Sequence, residues 1–218
     1  MHSFTEENYL KTIYKLGNGN IDEVNTSSLA ETMGIKSSTV TDMLKKLAEK
    51  KLVKYEKYKG VKLNDEGKKI ATKIIRRHRL WEVFLLEKLN FEWSQVHDMA
   101  EQLEHIQNDE MIERLDKLLG FPKYDPHGDP IPDKNGNFSK NKFITLGSAT
   151  LNKTYKIVGI TDHKKEFIKY LDKIGITLNN KVIVRFIEEF DQSLKISVEK
   201  GKDIYISNLV AENILVES

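Results

Sequence analysis

The chain has 218 residues, of which 39% are hydrophobic and 31% charged, a balance that provides for a globular core and for up to three small domains. It contains no cysteine, which excludes disulfides, thiolate metal sites and cysteine nucleophiles. The formal net charge of +2 conceals an asymmetry: residues 1–79 hold 17 Lys and Arg against 10 Asp and Glu, whereas residues 80–120 hold 3 against 10. A basic head suits a polyanion, and an acidic middle suits cations.

In chain order, Glu6 to Leu16 carries Tyr9, Leu10, Ile13 and Tyr14 at helical spacing, and Gly17-Asn18-Gly19-Asn20 ends that helix. Asn25-Thr26-Ser27 caps a short helix from Ser28 to Met33, which Gly34 stops. Ser37-Ser38 opens a third helix reaching about Lys50, with Val40, Met43, Leu44 and Leu47 on one side. Alternation over residues 52–57 and a return over 61–63, turning at Lys59-Gly60, predict a two-stranded wing. A long helix is expected from Asp65 to about Leu89, another from Ser94 to Asn108, and a shorter one from Asp109 to Leu119. Residues 121–147 collect all four prolines and read as a loop.

Beyond that loop the period changes. Residues 154–160, 181–187, 194–198, 203–206 and 214–217 read as strands, interrupted by a helix at 165–174. Short strands at this spacing predict a small β-barrel of about 70 residues. The fold class is α+β. No apolar run approaches the roughly 20 residues that span a bilayer, and the N-terminus lacks an apolar stretch behind a basic start. A cytoplasmic protein without membrane partners is expected.

Thr26 to Lys50 has helix-turn-helix form, with Gly34-Ile35 at the turn. The recognition helix begins with Ser37, Ser38, Thr39 and Thr41, small hydroxyl residues suited to phosphates, base edges and thymine methyls. Lys36, Lys45 and Lys46, with Lys57, Tyr58 and Lys59 of the wing, add contacts to the phosphate backbone. Double-stranded operator DNA is the expected partner. No long side chain fixes one base, so the operator sequence is not readable.

A second constellation lies in the acidic middle. His78 and Glu82 are four residues apart on the long helix, and His97, Glu101, Glu104 and His105 fall at helical spacing on the next. Facing His and Glu stripes on two helices build O/N metal sites, and without cysteine the set is hard: it suits Mn(II), with Fe(II), Co(II) or Zn(II) able to enter. The bland reading is a solvated, salt-bridged helix face. Two rival functions follow from it or from the same residues: a winged-helix regulator answering to an organic ligand, and a metalloenzyme. The second is disfavoured, since no nucleophile–base pair and no glycine-rich phosphate loop is found, and we expect no enzyme.

These residues resemble the diphtheria-toxin-repressor family of metalloregulators over nearly the whole chain. The markers are Tyr9-Leu10-Lys11-Thr12-Ile13-Tyr14, Ser38-Thr39-Val40-Thr41, Tyr55-Glu56-Lys57-Tyr58-Lys59-Gly60, Arg77-His78-Arg79-Leu80, Val96-His97-Asp98, Glu104-His105 and His127-Gly128-Asp129-Pro130-Ile131-Pro132. Two markers in the tail are Leu171-Asp172-Lys173-Ile174-Gly175 and Asn208-Leu209-Val210-Ala211-Glu212. The resemblance implies a winged helix-turn-helix domain over 1–73, metal-binding and dimerisation helices with a loop over 74–140, and an SH3-like (FeoA-like) domain over 148–218. It implies a homodimer and a repressor of manganese or iron homeostasis genes, with the metal as co-repressor. It further implies two metal sites per subunit. An ancillary site would use His78, Glu82 and His97, completed at positions matching His163 and Glu166. An effector site would use Glu101, Glu104, His105 and the position of Asn8. Iron-type members carry cysteine where this chain has Glu101, so manganese is favoured. The family usually supplies Met or Asp at position 8, where Asn8 offers only a neutral carbonyl oxygen. Lys11 replaces an acidic ligand of the shorter manganese regulators, which argues against their paired-metal arrangement.

Overall fold

A computed structural model describes residues 2–139, 143–199 and 203–217. Residues 140–142 of the predicted loop lie outside the described ones. The chain divides into two compact units, one made of residues 1–78, 101–109 and 132–138, the other of 79–100, 110–131 and 139–218.

In the first unit, α1 (Phe4–Leu16) starts on a capping box in which Ser3 and Glu6 exchange side-chain-to-backbone hydrogen bonds. Asn25 caps α2 (Thr26–Met33) by accepting from the Ser28 N–H, which extends this helix two residues ahead of the predicted start. Gly34 then takes the left-handed conformation, φ 65°, that reverses the chain into α3 (Ser37–Glu49). The wing is antiparallel β1 (Val53–Glu56) and β2 (Gly60–Leu63), and Val61 also bridges to Val24. Tyr9, Leu10, Ile13, Leu29, Val40, Leu44, Leu47 and Val61 close one core with Ala71 and Ile75 of α4 (Asp65–Leu89). The apolar stripe of α3 is thus spent inward, leaving Lys36, Ser37, Ser38 and Thr39 in solvent.

The expected helix 94–108 is shorter: α5 runs Val96–Leu103, and Glu104 and His105 follow in a turn closed by Ile106 N–H to Leu103 C=O, 3.1 Å. α6 spans Asp109–Leu118.

In the second unit, β3 (Ile144–Thr145), β4 (Thr154–Ile160), β5 (Lys181–Ile187), β6 (Leu194–Val198), β7 (Asp203–Ile206) and β8 (Ile214–Glu217) form one antiparallel sheet in the order β3-β8-β4-β5-β6-β7. The order is open between β3 and β7, so the barrel-like curvature expected of an SH3-like domain comes without closure among the described residues. Between the strands run α7 (Lys165–Lys173) and α8 (Asn208–Glu212), the latter capped by Ser207 and unpredicted because five residues carry no period. Ile157, Ile168, Leu171, Val182, Val184, Ile196 and Ile214 make its core. No helix among the described residues is long and apolar enough to cross a membrane.

Candidate metal centres and nucleic-acid interface

Each unit contains a cluster of histidines and carboxylates. In the first, α1 brings Glu7 and Lys11 against Arg77 of α4 and against Glu101, Glu104 and His105 of α5 and its turn, where His78 of α4 also meets Glu104. Because α5 ends at Leu103, Glu104 leaves the helical stripe and becomes fully buried. His105 Nδ1 is 2.6 Å from Glu7 Oε2, and Phe4 stacks on the imidazole at 4.6 Å. An Nδ1–H donated to Glu7 fixes the tautomer and leaves Nε2 as the ring's basic nitrogen, 3.8 Å from Glu104 Oε1. Glu7 is itself held by Arg77 at 2.8 Å and by Gln107 at 3.1 Å. Asn8 Oδ1 is buried and has no hydrogen-bond partner. Such an orphaned acceptor is costly unless something with positive charge or a proton meets it. His78 Nδ1 lies 2.6 Å from Glu104 Oε2. The carboxylates of Glu101 and Glu104 and the Nε2 of His105 are hard donors of the kind that suit a divalent cation, and Asn8 adds an unmatched amide oxygen on α1.

Lys11 is also in this cage. Its Nζ is 2.8 and 2.7 Å from the two Glu101 oxygens and 2.5 Å from Glu104 Oε1.

The second cluster gathers Glu82 of α4, His97 of α5, and His127 and His163 from loops. Glu82 is 1% exposed; its Oε1 is 3.1 Å from His97 Nδ1 and 3.4 Å from His127 Nε2. The His127 ring lies 5.3 Å from that of His163 and 6.1 Å from Trp93, on which it stacks. His163 Nε2 meets the Ile160 carbonyl at 3.2 Å, which leaves Nδ1 as its basic nitrogen. Neither ring nitrogen of His127, a residue 4% exposed, has a hydrogen-bond partner. Burial by itself would depress the His127 imidazolium, but the Glu82 carboxylate outweighs it and its pKa is raised. Glu166, expected beside His163, is exposed in the first turn of α7, and no hydrogen bond or ion pair joins it to the cluster.

A built loop presents His127. Asp125 accepts the N–H groups of His127 and Asp129 at 2.8 and 2.9 Å, and Arg79 reaches Asp125 at 3.3 Å, Asp129 at 2.9 Å and the Pro130 carbonyl. Burial, reinforced by Glu82 and opposed by Arg79, pushes the Asp125 carboxyl up to about 7. Gly128 and Gly159 then let two backbones touch: a Cβ on Gly159 would stand 2.4 Å from Gly128 Cα. That approach seats the His127 carbonyl on the Ile160 N–H, at 2.7 Å, beside the bulge of β4. The conspicuous string His127–Pro132 marked this loop in the sequence, but no period assigned its histidine a role. Glu7 was missed for the same reason: its importance lies in two partners about 70 and 98 residues away.

The predicted DNA-facing residues belong to the first unit. Lys36, Ser37, Ser38, Thr39, Lys45, Lys57, Tyr58 and Lys59 are exposed, Tyr58 at 93%. Thr41 is half-buried and its hydroxyl donates to the Ser37 carbonyl, 2.9 Å. Ser37, Thr41, Lys57 and Tyr58 line a cleft of about 350 Å³ together with the capped start of α2. Lys59 is held by Glu56 at 2.6 Å, which raises its pKa and keeps it charged.

Comparison with known proteins agrees with this organisation. Residues 1–61 match the iron dependent repressor N-terminal DNA binding domain, 64–133 the iron dependent repressor metal binding and dimerisation domain, and 144–218 the FeoA domain. The diphtheria toxin repressor of Corynebacterium diphtheriae is 31% identical over 204 residues, 93% of this chain and 84% of that one. The diphtheria toxin repressor of Corynebacterium jeikeium is 34% identical over 128 residues, 59% of this chain and only 53% of its own length. A manganese-dependent transcriptional repressor solved in complex with manganese is similar with a TM-score of 0.77 and 34% identity, covering 98% of this chain and 99% of that one. Adjoining matches to both repressor segments, with identity sustained along the whole length, establish that this chain belongs to the diphtheria-toxin-repressor family of metal-dependent transcriptional regulators.

Proposed function

We propose that the protein is a dimeric repressor that binds double-stranded operator DNA when a divalent metal is bound, with Mn(II) as the co-repressor and Fe(II) as the alternative ion. The observation that carries this reading is the pair of carboxylates Glu101 and Glu104, held together through Lys11 with His105 Nε2 3.8 Å from Glu104, beside a buried and unmatched Asn8 oxygen on the same helix as Lys11. Glu101 in place of a thiolate, and the absence of any cysteine, favour the harder ion. Co(II) and Zn(II) fit the same donors.

In this reading Asn8, Glu101, Glu104 and His105 hold the effector ion, Glu7 orients His105, and Arg77 anchors Glu7. Glu82, His97, His127 and His163 hold a second ion. When bound, the effector ion supplies a positive centre that ties α1 to the turn after α5. Helix α1 packs on α2 and β2 in the core that also receives Leu44 and Leu47 of α3. Fixing α1 therefore biases where the recognition helix stands, and in a dimer that sets the separation of two recognition helices against successive major grooves. The metal acts through its differential affinity for the DNA-competent arrangement, so the duplex tightens the metal in return.

The test is anisotropy titration of a duplex selected in vitro in the presence of Mn(II). Affinity is expected to fall roughly 5–150-fold in chelator at fixed ionic strength, the usual range of such couplings, and Glu101→Ala with His105→Ala should behave as the chelated protein does. Equal affinity with and without Mn(II) would sink the proposal.

A further inference from the structure

Lys11 is a buried charge in mid-helix, 5% exposed. An ammonium has three protons to donate, and three carboxylate oxygens stand within 2.8 Å of this one: both of Glu101 and one of Glu104. Those oxygens belong to the two carboxylates that the proposed effector ion requires. Glu7 is paired with Arg77 at 2.8 Å, and His78 meets the other Glu104 oxygen at 2.6 Å, so the charge count that follows takes the imidazoles as neutral.

We infer that Lys11 is a built-in counter-ion of the cage, and that a divalent cation enters by exchange with its ammonium. The inference rests on reading the cage as a metal site. Two carboxylates and one ammonium leave a single negative charge. Adding a dication while the ammonium stays leaves a net positive charge beside the fully buried Glu104, with two cationic centres sharing the same oxygens. Withdrawing the ammonium leaves the cage neutral. A lysine can do this because its charge rides on a flexible four-carbon stem, so α1 need not unwind.

Two consequences follow. A monovalent ion gains nothing by the exchange, since it replaces one positive charge with another and forfeits three hydrogen bonds; the lysine makes the cage select for charge. The ammonium also holds α1 to Glu101 and Glu104 when metal is scarce, so the metal-free cage does not fly apart by carboxylate repulsion.

The experiment is calorimetric titration of the chelator-stripped full chain with Mn(II), for wild type, Lys11→Met and Lys11→Arg, with thermal unfolding in chelator alongside. Lys11→Met is expected to bind Mn(II) at the cage at least tenfold more tightly while melting at a lower temperature in chelator. Lys11→Arg, which keeps the charge, should bind no more tightly than wild type. If Lys11→Met does not fold without metal, chelator competition on the Mn(II)-loaded protein reads the same affinity. Equal or weaker Mn(II) binding by Lys11→Met overturns the exchange and makes Lys11 a support of the ligands. Failure of wild type to bind Mn(II) at all overturns the metal reading itself, a separate result.

Discussion

The two clusters of this protein solve the same electrostatic problem in different ways. In the first, carboxylates dominate and their charge is matched from within, by Lys11 on Glu101 and Glu104 and by Arg77 on Glu7. In the second, three histidines meet one carboxylate, Glu82, and both nitrogens of the buried His127 lack a hydrogen-bond partner. The first is a salt-bridged cage that a cation must compete to enter. The second is a histidine-rich cluster with one buried carboxylate, in which an arriving cation meets imidazoles and, among the described residues, no resident lysine or arginine. The contrast teaches that a count of His and Glu is a poor guide to affinity: the cations already present decide what an arriving one gains.

Three substitutions probe that contrast. The largest effect is expected from Glu7→Gln. It leaves one neutral amide oxygen to serve both the His105 Nδ1–H and Arg77, where the carboxylate offered each its own charged acceptor, and it touches only the cage. Losing the carboxylate partner of a ligand histidine weakens a metal by roughly 10–100-fold. A two-site calorimetric isotherm should show that loss in one binding event and not in the other; an unchanged isotherm would remove Glu7 from the machinery. His127→Ala should do the converse, weakening only the event assigned to the second cluster, by roughly tenfold. If it weakens both equally, the two clusters are one coupled site and the comparison fails. The smallest effect is expected from Lys57→Ala, which belongs to neither cluster. It should leave metal stoichiometry alone and reduce the slope of log affinity against log salt by about 0.9, the contribution of one phosphate contact. A slope equal to that of wild type would place Lys57 outside the DNA interface.

Much of the architecture is local and so was readable in advance. The five strands expected after residue 150 recur with the expected limits, because alternation and turn residues set where a strand begins and ends. The long helix from Asp65 to Leu89 is where its period puts it. The wing and the recognition helix are likewise a matter of caps, a left-handed glycine and an apolar stripe within residues 25–63. The helix expected over 94–108 failed where a local rule met a tertiary one. Helical spacing would have continued past Leu103, but Glu104 turns inward to Lys11 and His78, contacts made 93 and 26 residues away.

What the amino-acid order determined by itself is therefore the succession of elements, the exposed basic and hydroxyl face of α3, and which segment carries the histidines and acids. Tertiary structure decided how those groups were sorted. It sent His97 to Glu82 and Glu101 to Lys11 although both ride on α5, left Glu166 in solvent, and brought in Glu7 and His127, to which no spacing had assigned a role. The reason is physical: a helix or strand is set by neighbours within a few residues, whereas the partner of a buried charge is whichever opposite charge the packing of the whole chain delivers, and burial makes that pairing obligatory.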